Sequence, residues 1–126
     1  MSSVHADVRA YCHSRPNTIC MTHMSHVYPQ GANLYFIFLA KMSSLEEFKA
    51  YHAGILDAIQ KSGAAMSHHH GIGKMFGPWL EGAVGRNEYG VIRALKQYFD
   101  PDNIMNPGGT LGLDVPQEEK RFLKAL

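Results

Sequence analysis

Three histidines stand side by side at residues 68–70 in AAMSHHHGIGKMFGPW (64–79), and Gly-Ile-Gly-Lys follows them. Imidazole donates, accepts and takes up protons near neutral pH. Neighbouring imidazolium ions repel, so the cluster is expected to stay largely neutral, ready to bond charge developing on an oxygen or to pass a proton. On an extended segment His68 and His70 project to one side and His69 to the other, and a sharp turn at Gly71 gathers all three toward a common cavity. Two other readings fit the same residues. One is a solvent-exposed polyhistidine loop. The other is a metal shell in which His23-x-x-His26 joins His68 or His70; no carboxylate or cysteine stands at a recognisable ligand spacing, and no metal is expected. Gly71-x-Gly73-Lys74 is half of a phosphate loop without the remaining glycines. Tyr35, inside an aromatic run, reads on its own as a core residue with its hydroxyl tied off.

The elements that must position these groups follow from periodicity. Residues 4–14 are weakly helical and stop before Pro16-Asn17. TICMTHMSHVY (18–28) and NLYFIFLA (33–40), joined through Pro29-Gln30-Gly31, predict an antiparallel hairpin. Alternation sets Tyr35, Ile37 and Leu39 on one face and Leu34, Phe36 and Phe38 on the other, which implies that both faces are covered. SLEEFKAYHAGILDAIQKSG (44–63) predicts a helix, with a Ser44/Glu47 capping box, a stripe of Leu45, Phe48, Ile55, Leu56 and Ile59, and a stop at Gly63. A second helix over 87–99 is expected to bury Ile92, Leu95 and Phe99 and to close at Asp100-Pro101. The loop DPDNIMNPGGTLGL then leads to a short charged helix over 116–125. The order β-β-α-(histidine loop)-α predicts an α+β fold, a small antiparallel sheet with helices packed on one face.

With 126 residues the chain has the size of one domain, 1–126. Its 12 Lys+Arg and 11 Asp+Glu are scattered, which argues against nucleic acid or a membrane surface as partner. No run is long enough to span a membrane, and the polar start is not a signal peptide. Cys12 and Cys20 offer neither a metal-pair spacing nor enough bridges for a disulfide scaffold, so a reducing, cytoplasmic setting is expected.

SHVYPQGANLYF, SHHHGIGK followed by Trp79-Leu80, and DPDNIMNPG stand in this order between about Cys20 and Leu113. Together they resemble the C-terminal end of FAD-linked oxidases of the vanillyl-alcohol oxidase type. The triple histidine, where other branches typically show Glu-His-Gly, is most similar to the alkyldihydroxyacetonephosphate synthase (alkylglycerone-phosphate synthase) branch.

That resemblance implies an enzyme working at flavin N5, in which an acyl group leaves a small-molecule substrate and a long-chain alcohol replaces it without net oxidation. It implies catalytic roles for Tyr35, in proton transfer at the substrate carbon, and for His68, His69 and His70, beside the substrate. It also implies cofactor contacts at His70, Gly71 and Asn106. The family's FAD-binding domain has no counterpart in these residues, so this chain is expected to be a cap-domain piece: hairpin and helices at 18–99, a closing segment at 100–113 toward the absent FAD domain, and a terminal helix at 114–126. Such a piece is expected to be inactive without that domain, either as a fragment of a longer enzyme or as a product whose partner is another chain. Its truncated sheet leaves an edge that invites a homo-oligomer. The alternative is a histidine-rich metal-binding or interaction module on the same fold.

Overall fold

In the computed structural model, which describes residues 2–109 and 111–121, the chain divides into two units, Met1–Ala64 and Ala65–Leu126. The first begins with α1 (Ser2–His13), where Val4, Val8 and Cys12 recur every four residues and so share one stripe. Val8 and Cys12 are fully buried. The helix ends before Pro16, and Asn17 adopts a left-handed φ of 56° that turns the chain toward the sheet.

Strands β1 (Ile19–Tyr28) and β2 (Gly31–Leu39) pair antiparallel around a turn at Pro29-Gln30. Cys20, Phe36 and Phe38 point to one face, here the inner one, and pack with Val8, Cys12, Tyr51 and Ile55 of the flanking helices. Ile19, Met21, His23, Tyr35, Ile37 and Leu39 point to the outer face. The sequence implies cover on both faces, and this is corrected. Ile37 is 49% and Leu39 59% exposed, because both packing helices of this unit lie against the inner face.

Helix α2 (Leu45–Ser62) forms where expected. The Ser44 hydroxyl accepts the Glu47 amide, and Gly63, at φ 81°, donates its amide to the Gln60 carbonyl. The reciprocal capping bond is shifted by one residue: the Glu47 carboxylate accepts the Ser43 amide at 2.6 Å and pairs with Arg15. These contacts, the Ser43 amide foremost, hold the Glu47 carboxyl below the usual carboxylate range. Ile55 and Leu56 are buried and Phe48 and Ile59 half-buried, but Leu45, at the helix entrance, is 60% exposed. The Tyr51 hydroxyl donates to the Cys12 carbonyl at 3.0 Å, satisfying one of the acceptors left open at the end of α1.

The second unit contains a helix within the stretch that periodicity assigns to the histidine loop. Helix α3 (Gly73–Val84) includes Gly77, Pro78 and Gly82, residues that propensity counts against a helix. Tertiary packing overrides them. A Cβ at Gly77 would stand 2.9 Å from the Gly112 Cα, so the helix and the closing segment meet backbone to backbone. Trp79 and Leu80 are buried, and the Glu81 carboxylate pairs with Lys120 at 2.7 Å.

Helix α4 (Arg86–Phe99) follows after Gly85. Its buried residue is Tyr89, whose ring lies beneath Lys120 Nζ at 4.7 Å. The expected burial of Leu95 and Phe99 is corrected: they are 54% and 73% exposed, and Ile92 is half-buried. In place of the charged helix over 116–125, a short 3-10 turn forms at Gln117–Glu119, and residues 122–125 lie outside the described residues. The α+β architecture holds, with four α-helices and a two-stranded antiparallel sheet among the described residues.

Two outcomes follow from this packing. Gly112 has φ 71° and backs directly onto the Gly77 carbonyl, so Gly112→Ala is expected to destabilise the second unit by on the order of 2 kcal/mol or more. Urea unfolding followed by the fluorescence of Trp79, the one tryptophan, reads this loss. In the first unit, burial lowers the pKa of His52 below 6.5. As pH falls through 6.5 the unfolded chain takes up a proton that the folded chain resists, so stability drops. His52→Gln is expected to flatten that part of the stability-versus-pH curve.

Candidate functional site

Tyr35 lies at the centre of β2, half-buried and on the outer face. It is not a core residue, because the inner-face positions on either side, Leu34 and Phe36, take the side facing the helices. Its cross-strand partner is His23, with ring centroids 5.9 Å apart. The His26 ring lies 6.5 Å from that of Tyr35. His26 sits at a β-bulge, where the register shifts between Ser25 and Val27, and its φ is +50°. Sequence alone sets His23 and His26 on the hairpin without connecting either to Tyr35. Counting back from the turn, where Tyr28 pairs with Gly31, an unbulged hairpin sets Met24 against Tyr35. The bulge moves His23 there instead.

The histidine triplet belongs to the second unit. Residues 68–70 form successive bends rather than an extended strand, so they do not alternate sides. His68 Nδ1 and His69 Nδ1 are 2.7 Å apart, and the ring centroids of His69 and His70 are 4.2 Å apart, edge to face. A bond between two Nδ1 atoms needs one of them unprotonated, so it is made only while at least one ring of the pair is neutral. All three rings are exposed. Gly71 (φ 79°) and Gly73 (φ 55°) follow, each with open space where a Cβ would stand, and α3 begins immediately.

Asn106 lies in the closing segment, exposed and left-handed at φ 53°. Its side chain fills the space above Gly109, where a Cβ would meet Oδ1 at 2.8 Å. The segment is organised by Asp100, which is buried at the end of α4. One carboxylate oxygen accepts the Ile104 amide at 2.8 Å. The other accepts the Met105 amide at 2.9 Å and pairs with Lys96, which also donates to the Met105 carbonyl. Lys96 first, then the two amides, hold the Asp100 carboxyl below its ordinary 3.8. Between α4 and this segment runs an apolar groove of about 470 Å³, with Leu95, Phe99, Met105 and Leu111 in its walls and Asn106 among its lining.

The chain belongs to the family of FAD linked oxidases, C-terminal domain, which it matches over residues 1–110. It is 39% identical to the alkyldihydroxyacetonephosphate synthase of Dictyostelium discoideum, over 73% of this chain and 15% of that protein. The enzyme of that name from Trypanosoma brucei brucei is 33% identical, over 82% of this chain and 17% of its own length. The FAD-linked oxidoreductase YgcU of Escherichia coli (strain K12) is 34% identical, over 76% and 21% respectively. The chain thus spans about a fifth or less of the length of these relatives. No solved structure gives a significant match.

Asp100 supplies a direct check on the closing segment. Its stabilising contacts are complete above pH 3.8 and are lost as pH falls through its lowered folded value. Asp100→Asn at neutral pH is expected to raise hydrogen exchange at the Ile104 and Met105 amides about tenfold or more. Amide exchange measured by NMR shows whether Asp100 is the anchor.

Proposed function

We propose that this chain is the substrate-side, cap-domain part of a flavin-dependent enzyme of the alkyldihydroxyacetonephosphate synthase type, with Tyr35 and the histidine triplet as its reactive groups. The observation that supports this reading is that Tyr35 and the triplet, which lie in the motifs that carry the resemblance, are held outside the packed cores. Tyr35 is on the sheet face away from the helices, and the imidazoles are exposed on bends.

In this reading the flavin, held by protein beyond these 126 residues, supplies a two-electron acceptor and donor. The residues of this chain fit one side of such a group. Gly71 and Gly73 leave the backbone beside His70 uncovered, as close approach of a flat ring requires, and Asn106 offers an amide from the closing segment. No pyrophosphate-binding loop is assigned to this chain. Tyr35 transfers the proton at the substrate carbon. His68, His69 and His70 hold charge that develops on the substrate oxygen, which neutral imidazoles do by donating N–H groups already in place.

Residues 18–99 are read as cap, 100–113 as the segment closing toward the flavin-binding part, and 114–126 as its terminal extension. The outer edges of β1 and β2, unpaired among the described residues, support association with a second copy through a strand edge. The free, buried thiols of Cys12 and Cys20 support a reducing, cytoplasmic setting.

The test has two arms. The visible spectrum of the isolated chain, after mixing with FAD and removal of excess, is expected to show no stoichiometric flavin; retention of one flavin per chain contradicts the assignment of the cofactor to missing protein. In flavin-loaded enzyme containing this segment, Tyr35→Phe and His69→Ala are each expected to lower kcat by roughly 10²- to 10⁴-fold with little change in folding. Normal turnover in both variants overturns the catalytic roles of the tyrosine and the triplet.

A further inference from the structure

One inserted residue brings two imidazoles to the ring of Tyr35. Along β1, alternation from Cys20 through Thr22 and Met24 sends position 26 to the inner face, opposite to Tyr35. His26 nevertheless has its ring 6.5 Å from the Tyr35 ring. At a bulge two residues of one strand oppose a single residue of the other. Ser25 pairs with Asn33 and Val27 with Ala32, so His26 is the extra residue and the left-handed φ of 50° rotates it toward the tyrosine. The same insertion shifts the register that brings His23 opposite Tyr35. A non-glycine residue in left-handed backbone is strained. The shift also sets Cys20 on the same face as Phe36 and Phe38, so it serves the register of the core, and the residue it leaves over, His26, is exposed.

We propose that the bulge holds His26 as a positioning residue for Tyr35, making the reactive group a tyrosine between two imidazoles rather than a lone phenol. The proposal rests on the reading of Tyr35 as the proton-transferring residue. The ring separation is within the span of one direct or water-bridged hydrogen bond between a phenol oxygen and an imidazole nitrogen. The phenol O–H proton passes to the imidazole nitrogen, and the resulting phenolate takes the proton from the substrate carbon, whose electron pair stays with the substrate. The imidazolium then releases its proton to water. His26 acts only through Tyr35.

Within the first unit, the titratable groups near the pair can be followed element by element. From β1 itself the titratable neighbour is His23, and from β2 it is Tyr35. Helix α1 directs His5 onto Phe36 and Arg9 to the Cys20 carbonyl, both toward the inner face. Helix α2 sets Tyr51 against Phe38 on that same side.

The experiment is ¹³Cζ-tyrosine NMR on the full chain across the imidazole titration range, with the Tyr35 signal assigned by its loss in Tyr35→Phe. The Tyr35 signal is expected to move with pH in the wild type. His26→Gly, which suits the left-handed backbone and removes the ring, is expected to cut that movement by about half or more; His26→Asn, which also tolerates the conformation, repeats the result should glycine loosen the hairpin. Free imidazole added to His26→Gly is expected to restore part of it. A Tyr35 signal that ignores pH in the wild type, or that moves as far in both His26 variants as in the wild type, overturns the proposal. In flavin-loaded enzyme, loss of the His26 ring is expected to lower kcat roughly tenfold or more and to change the shape of its pH profile. Tyr35→Phe separates the two ideas. Turnover retained in that variant overturns the role of the tyrosine itself, whereas turnover lost there, with a pH response unchanged by His26→Gly, overturns only the His26 assignment.

Discussion

The two-residue alternation of the hairpin is the constraint on which the first unit depends. Cys20, Phe36 and Phe38 must meet Val8, Cys12, Tyr51 and Ile55, and each well-buried aliphatic or aromatic side chain contributes about 1.5–3 kcal/mol. A slip by one residue turns that whole set to solvent, so the register is firmly fixed. Tyr35 inherits its outward direction from this core without contributing to it. The core is also chemically quiet. Burial, with Cys12 adding to it, pushes the Tyr51 phenol up to about 12 and the Cys20 thiol up to about 11. Neither group ionises at neutral pH.

The second unit is built on a different balance. A backbone contact between Gly77 and Gly112 draws α3 against the closing segment, and buried ion pairs, Lys120–Glu81 and Lys96–Asp100, fasten the ends. Pairs of this kind cost desolvation and gain their value from geometry, so they specify an arrangement more than they add stability. Apolar surface is left over: Val91, Leu95, Tyr98 and Phe99 on α4, with Ile104 and Met105 in the segment after it, are more than half exposed. A patch of that composition is characteristic of a surface made to be covered.

The elements that can be read from sequence are those whose local preferences agree with their packing. The hairpin, the Ser44 cap, the Gly63 stop and the helix ending at Asp100 all announce themselves in residue type. Helix α3 does not, because its Gly77 serves a contact far along the chain, at Gly112, rather than the helix itself. The exposed faces of β2 and α4 escape sequence for a related reason: apolar periodicity shows that a face is meant to be buried, but not that the covering part lies within these 126 residues. Among the candidate residues, Tyr35 in the first unit and His68–His70 in the second are each visible in the sequence as residue types. The pairing of His23 and His26 with Tyr35 is not, since it depends on a bulge, and a histidine in left-handed backbone carries no signature in sequence.

The hairpin also sorts the consequences of mutation by number. From Ile19 to Ser25 and from Asn33 to Leu39, even positions face the helices and odd positions face away. Substitutions at the even positions that meet the helices, Cys20, Phe36 and Phe38, are therefore filtered by abundance of folded protein, and those at odd positions are not filtered by that core. At His26 the rule breaks, and Val27 takes the side that the count assigns to its even neighbours. The sorting is sharpest at Cys20, Phe36 and Phe38 and fades toward the turn, where Met24 and Val27 are more than half exposed.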